Sequence, residues 1–346
     1  MNTVLPITAG SITGITGLSK RPVFFLRMNG AAQPNLVVKG ESHSTGSMNS
    51  EEVMVSIKWG SKMMKNVNNS QVNTKIMTAN EVNIFRLAAA AAFLFTSPQG
   101  EHATNGFRWV KMPMVNGLSD AEFYDDNTNK VNPQLIKRIL PKLLNDNTWR
   151  DLGPILAADI FIGNSDRFDV ESGAWINNGN VMFLAGGTTS MIGLDTFDPN
   201  SGDKGNLANK GGFDAMKSLI DANRRNAFAL ACTKSVGIKL SNKALDAGMQ
   251  TLLVFLPSAN KSFSFAAENL GTAFVPYANL LSQGIADGAD SLRAYLQGKV
   301  QQYPPPVPSL RPARPGQRVV IGGGIRGPQV KALPQGVLDR MAYLGW

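Results

Sequence analysis

The sequence predicts an α+β protein of two lobes, a small β-rich lobe followed by a larger helical one. Strand-like apolar runs cluster in the first third of its 346 residues, and helical patterns fill most of the remainder. One short hairpin with polar ends, over residues 173–195, interrupts the helical part. Strands do not alternate with helices along the chain, which argues against a doubly wound sheet. The expected boundaries are 1–115 for the first lobe, 116–302 for the second and 303–346 for a Pro/Gly-rich basic tail.

Residues 7–19 are small, polar and punctuated by glycine, and read as a loop. Within it, Gly14 and Gly17 allow backbone amides to approach a phosphate closely. Val23-Phe-Phe-Leu-Arg-Met28 reads as a strand, Asn29-Gly30 starts a turn, and Asn35-Leu-Val-Val-Lys39 reads as the returning strand. Ser50 is the expected N-cap of a helix to about Lys65, with Glu51 and Glu52 suited to its first turn. Thr78-Ala-Asn-Glu81 has the form of a capping box and opens an Ala-rich helix ending near Phe95. Phe107–Met112 is the next strand, closed by Pro113 and Asn116-Gly117. Helices then follow from Asn132-Pro133 to Leu144 and from Trp149 to Ile162. After the hairpin, helices are expected over 213–232, 241–255 and, broken, 260–302. Tyr303-Pro-Pro-Pro and Arg311-Pro-Ala-Arg-Pro form a polyproline-type basic linker, Ile321-Gly-Gly-Gly-Ile325 a flexible connection, and Gln335–Trp346 a short docked helix.

Composition excludes several classes of site. The single cysteine, Cys232, rules out a disulfide framework within the chain and reads as a small core residue. With only His43 and His102, a His-rich zinc site is excluded as well. Asp125-Asp126 and Asp198–Asp203 read as solvated turns. The longest apolar run, Leu87–Phe95, is half of what a membrane helix needs. A net charge of +9 suits an anionic ligand or phosphate-rich substrate. The basic residues are scattered rather than arrayed with aromatics, so a nucleic-acid partner is not expected.

The densest functional signal runs from Asp159-Ile-Phe-Ile-Gly-Asn-Ser-Asp-Arg-Phe168 through Asn180-Val-Met-Phe183 to Ile192-Gly-Leu-Asp195. It reads as a helix end, a polar loop bearing Asp166, a strand opened by Asn180 and a returning strand ending in Asp195. Phosphoryl transfer from a metal nucleotide uses such parts, one carboxylate for the attacking hydroxyl and a carboxamide and a second carboxylate for the metal. This pattern resembles a kinase site, and that resemblance implies a phosphate-holding lysine with an acidic partner. Lys39, ending an early apolar strand before a helix, is the candidate, with Glu52 as its partner and Glu51 and Glu81 as alternatives. Phe161, Phe168 and Phe183 read as core around the loop. The segment Gly10–Gly17 lacks the Gly-Lys-Ser/Thr ending of a P-loop.

Ile162-Gly-Asn-Ser-Asp-Arg167 resembles the catalytic loop of atypical kinases, among them secretory-pathway protein kinases, phosphatidylinositol 4-kinases and HipA-type bacterial toxin kinases. The Asn180-Val-Met-Phe and Ile192-Gly-Leu-Asp195 segments resemble the metal-binding segments of the phosphatidylinositol kinases. The resemblance implies a divergent protein-kinase-like bilobal fold binding ATP with Mg²⁺ or Mn²⁺ between the lobes. It makes Asp166 the catalytic Asp, Asn180 and Asp195 the metal ligands, and Lys39 and the glycines Gly14 and Gly17 the phosphate contacts. Three departures stand out: no His follows Arg167, no Gly follows Asp195, and Asn180 comes late after Asp166, which leaves Asn177 or Asn178 as other ligands. The implied activity is a protein kinase acting on a hydroxyl side chain of a partner protein, as a bacterial effector or toxin. AMP transfer and lipid phosphorylation are alternatives using the same residues. A non-catalytic pseudokinase, interaction or phage structural protein is the alternative of another class. No Sec signal peptide is apparent at the N-terminus, so the expected location is the bacterial cytoplasm, or outside the cell by another export route.

Overall fold

A computed structural model describes residues 4–17, 22–42, 48–67, 74–92, 107–115, 117–119, 133–176, 180–184, 191–194, 202–208, 213–256, 260–302 and 332–346. The chain is α+β, with antiparallel sheets and a predominantly helical second part.

Strands β1 (Ile12–Gly17), β2 (Val23–Met28), β3 (Leu36–Ser42), β4 (Lys75–Ile76) and β5 (Phe107–Pro113) form one antiparallel sheet in the order β1-β2-β3-β5-β4. The glycine-rich segment expected as a loop is thus partly the edge strand β1, with Gly14 opposite Arg27 and Gly17 opposite Phe24. The interleaved Ile and Thr favour extended backbone, and β2 satisfies the amide groups that a loop would leave to water. Asn29 and Gly30 both have positive φ in a tight turn that the Ala31 amide closes on the Met28 carbonyl at 3.1 Å, the start of a longer connection to β3.

The sheet buries both faces, each against a different helix. Phe24, Leu26, Leu36, Val38 and Trp109 pack with Phe85 and Ala89 of α2 (Ala79–Ala91). Phe24, Phe85 and Trp109 form an aromatic trio with centroids 5.0–5.9 Å apart, Phe24 edge-on to Phe85 and both tilted against Trp109. The opposite face places Val110 against Val53 and Ile57 of α1 (Ser50–Val67). Both sides of the predicted Thr78–Glu81 capping box are made. At α1, however, the cap is Asn49 rather than Ser50. Its Oδ1 accepts from the amides of Glu51 at 3.0 Å and Glu52 at 3.1 Å, and Glu52 Oε2 accepts from the Asn49 amide at 2.9 Å. The Asn49–Glu52 spacing gives the reciprocal pair, which Ser50 cannot form with Glu52.

Helix α1 contributes to two hydrophobic clusters. Its first half covers the sheet, while Trp59, Met63 and Met64 enter the main helical core. That core is built from α3 (Pro133–Leu143), α4 (Asp146–Ile162), α5 (Ala222–Asp246), α6 (Ala278–Gln302) and α7 (Gln335–Leu344). Helix α4 lies at its centre and is buried almost throughout from Thr148 to Ile162. It crosses α6 at backbone contact: a Cβ on Gly284 would stand 2.6 Å from the Arg150 carbonyl, and one on Gly288 would stand 2.5 Å from Pro154 Cα.

Strands β6 (Gly117–Ser119), β7 (Val181–Leu184) and β8 (Met191–Gly193) make the expected hairpin, widened to three strands. The helices expected over 213–232, 241–255 and 260–302 are redistributed. A 3₁₀ stretch at Asp214–Leu219 precedes α5, which runs unbroken to Asp246, and β9 (Thr251–Leu256) with β10 (Lys261–Ala266) forms a second hairpin. Cys232 is buried in the core, and Trp346 at the end of the docked C-terminal segment stacks on Phe161 at 5.6 Å. No helix among the described residues is long and apolar enough to cross a membrane. Residues 303–331, with Ile321–Ile325, lie outside the described residues.

Candidate functional site

The last turn of α4 carries Asp159 with no solvent exposure. A buried carboxylate requires donors, and the loop that follows supplies them. Asn164 Nδ2 donates to Asp159 Oδ1 at 2.9 Å, and Arg167, equally buried, forms an ion pair with Asp159 Oδ2. For the chain to fold back so tightly, Gly163 adopts left-handed backbone at φ +75 and ends the helix. The carbonyl of Lys204 lies so close that a Cβ at this glycine would overlap it.

Arg167 carries the arrangement one step outward. Its Nε donates to the Asn180 carbonyl at 3.1 Å, and the amide of Leu194, just past β8, donates to the same oxygen at 3.0 Å. Anchored this way at the start of β7, Asn180 directs its side chain at the loop. Its Nδ2 donates to Asp166 Oδ2 at 2.7 Å. The Asp166 amide in turn donates to Asn164 Oδ1 at 3.2 Å. Asp166 is half-buried, so the carboxylate sits at the surface of a rigid, buried polar scaffold.

The gap between Asp166 and Asn180 is a built loop as far as Ile176. Phe168 bridges Trp175 in antiparallel fashion, and their rings stack at 5.9 Å. Asp169 Oδ1 accepts from the Ser172 amide and hydroxyl and the Glu171 amide. Burial alone would raise its carboxyl, but those donors outweigh it and hold Asp169 below the ordinary Asp value. The loop is pinned to α5 where Ser235 Oγ accepts from the Trp175 amide at 2.7 Å. Lys239 donates to the carbonyls of Trp175 and Ile176.

The remaining expected residues fall in different places. Lys39 lies on β3 opposite Val110, hence on the sheet face that α1 covers, and pairs with Glu41 two residues along at 2.8 Å. Glu52, on α1, closes the helix cap described above. Glu81 pairs with Lys111, which also donates to the Leu5 carbonyl at 2.9 Å. Lys111 stands opposite Val38, so this pair lies on the α2 face, away from Lys39. Gly14 and Gly17 are in edge strand β1. Asp195, Asn177, Asn178, His43 and His102 lie outside the described residues.

Asp159 and Arg167, which hold the site together, carry no role in the sequence pattern alone. The available signal was an Asp inside an otherwise apolar helix end, eight residues before an Arg. Chemically, Asp166 is a carboxylate placed to accept a proton or orient a hydroxyl. With its amide nitrogen turned to Asp166, Asn180 directs Oδ1 elsewhere, an oxygen donor of the kind hard cations take. Among the described residues no group of three or more His, Cys, Asp or Glu forms a metal cluster. No protein-family model matches the sequence, and no curated protein matches it.

Proposed function

We propose that the chain is an ATP- and divalent-metal-dependent phosphotransferase of protein-kinase-like two-lobe fold, acting on a hydroxyl side chain of a partner protein. The observation that carries this reading is the 2.7 Å hydrogen bond between Asn180 and Asp166, made across 14 residues by a buried ionic scaffold. In phosphoryl transfer the carboxylate orients the attacking hydroxyl, and the carboxamide is a metal ligand. Asp195, next in the chain after the Leu194 that bonds the Asn180 carbonyl, is the second ligand in this reading. The bound metal would supply charge neutralisation on the phosphates. Lys39 fits the phosphate-holding role by its place on the third strand, ahead of helix α1. AMP transfer would use the same groups with the nucleotide turned round.

One observation favours a non-catalytic reading: Lys39 is engaged by Glu41 on its own strand, and Glu52 serves the α1 cap. Mass spectrometry after incubation with Mg²⁺-ATP and acceptor proteins separates the readings. The proposal expects a phosphate adduct that disappears with Asp166→Ala. An AMP adduct assigns nucleotidyl transfer instead. Unmodified proteins, together with no thermal stabilisation by any nucleotide–metal pair, leave the non-catalytic reading.

A further inference from the structure

Residues 204–208 stand where four parts of the molecule meet. The Lys204 carbonyl abuts Gly163 at the root of the Asp166 loop. The Leu207 amide donates to Ser56 Oγ of α1 at 3.0 Å, and Lys204 Nζ pairs with Glu171 in the loop beyond Asp166. From the fourth side comes α7. Arg340, with no exposure, donates to the carbonyls of Lys204 and Asn206, the latter at 3.3 Å, and to its own helix at Gly336 at 2.9 Å. The Gly336 amide completes the seam with a 3.1 Å bond to the Ala208 carbonyl.

We propose that α7 is a positioning element of the Asp166 site, with Arg340 as the positioning residue that ties the Lys204 and Asn206 carbonyls behind Gly163. An Arg suits the task because its planar fork reaches several acceptors at once, which an ammonium at the end of a flexible stem does less well. Burial lowers its pKa to about 10, so it remains charged at neutral pH and holds the carbonyls through charge-assisted bonds. The 204–208 segment also contacts α1, the helix that covers the Lys39 face of the sheet. Arg340 therefore links the C-terminal helix to both halves of the candidate site. Among the described residues, α7 is held by Val337, Met341 and Leu344 in the core and by Arg340 at the seam.

The inference rests on the phosphotransfer reading for its catalytic consequence, and its test has a readout independent of activity. In the full chain, amide hydrogen exchange and steady-state kinetics are compared for wild type, Arg340→Met and Arg340→Lys. With Arg340→Met, exchange rises at Gly163–Arg167 and Lys204–Ala208 while β2 and β3 stay protected. The kcat falls about tenfold or more with little change in KM for Mg²⁺-ATP, as expected when geometry rather than binding is lost. Arg340→Lys recovers part of both effects. If Arg340→Met does not fold, Arg340→Lys and Trp346→Ala, which removes the stack on Phe161, carry the same comparison. Unchanged exchange at Gly163–Arg167, or a uniform rise that includes β2 and β3, overturns the proposal. A wild type without transferase activity defeats the phosphotransfer reading alone, and the exchange pattern then decides the role of α7.

Discussion

Replacing Arg167 by Met tests the scaffold under the site. The substitution keeps most of the side-chain volume, so little cavity is opened, and removes the cation facing Asp159. Both groups have no exposed side-chain surface, and the Asn164 carboxamide still donates to Asp159 Oδ1. Breaking one partner of a fully buried pair costs about 3–5 kcal/mol, because the charge left behind can neither reach water nor find an equal partner. The lost hydrogen bond to the Asn180 carbonyl contributes roughly 1 kcal/mol more, softened by the Leu194 amide that still donates there. Against a typical folding stability of about 5–15 kcal/mol, that is a large fraction of the whole. Asp159→Leu incurs a similar loss by stranding the guanidinium. The double variant Asp159→Leu/Arg167→Met, with neither charge, is expected to recover most of it. Urea denaturation of the wild type, both single variants and the double gives the coupling energy directly. Single variants each costing under about 1 kcal/mol, or additive losses in the double, would refute the argument from buried charge.

Three further expectations follow from packing and titration. Gly288→Ala destabilises by about 1–3 kcal/mol through backbone overlap with α4, whereas Gly298→Ala, later on the same helix with open space around it, stabilises by up to about 1 kcal/mol; equal effects in thermal unfolding would contradict the close crossing. Burial alone would raise the Glu81 carboxyl, but the Lys111 ammonium and the amides of Thr78 and Ile7 hold it below the ordinary 4.5. Its contribution is therefore fully present above pH 4.5 and lost as pH falls through the lowered folded value, so the wild-type advantage over Glu81→Gln should shrink on acidification. A pH-independent difference in urea midpoints would exclude that linkage. Burial, and secondarily Asp169, push the Cys232 thiol well above its usual range, so a thiol reagent should label the unfolded chain and not the native one.

Local rules made much of this architecture readable. Thr78 and Glu81 announce a helix start because the capping partners lie three residues apart. The β7–β8 hairpin, the buried Cys232 and the docked C-terminal helix were equally plain from apolar pattern and turn chemistry. The β9–β10 hairpin was not, for a physical reason. Leu252 and Val254 face the core while Leu253 and Phe255 face outward, so both faces are apolar and the period of two vanishes into a continuous run. Glu81 hid a second role in the same way: its capping position accounted for it locally, and its ion pair with Lys111 comes from a residue 30 positions away. Motif order assigns Asp166 and Asn180 to one candidate site, without saying that the two side chains bond each other. The means of bringing them together, Arg167 reaching back to Asp159 and outward to the Asn180 carbonyl, depends on tertiary placement. So does the seam between Arg340 and Lys204, 136 residues apart.

Isothermal titration of Mg²⁺-ATP or Mn²⁺-ATP into the wild type, Asn180→Ala and Asp166→Ala addresses the central claim most directly. A metal-binding carboxamide beside an acceptor-orienting carboxylate predicts that Asn180→Ala weakens nucleotide–metal binding by about tenfold or more, while Asp166→Ala leaves it near wild type and abolishes transfer. Absence of binding in the wild type, or unchanged affinity in Asn180→Ala, would contradict the claim.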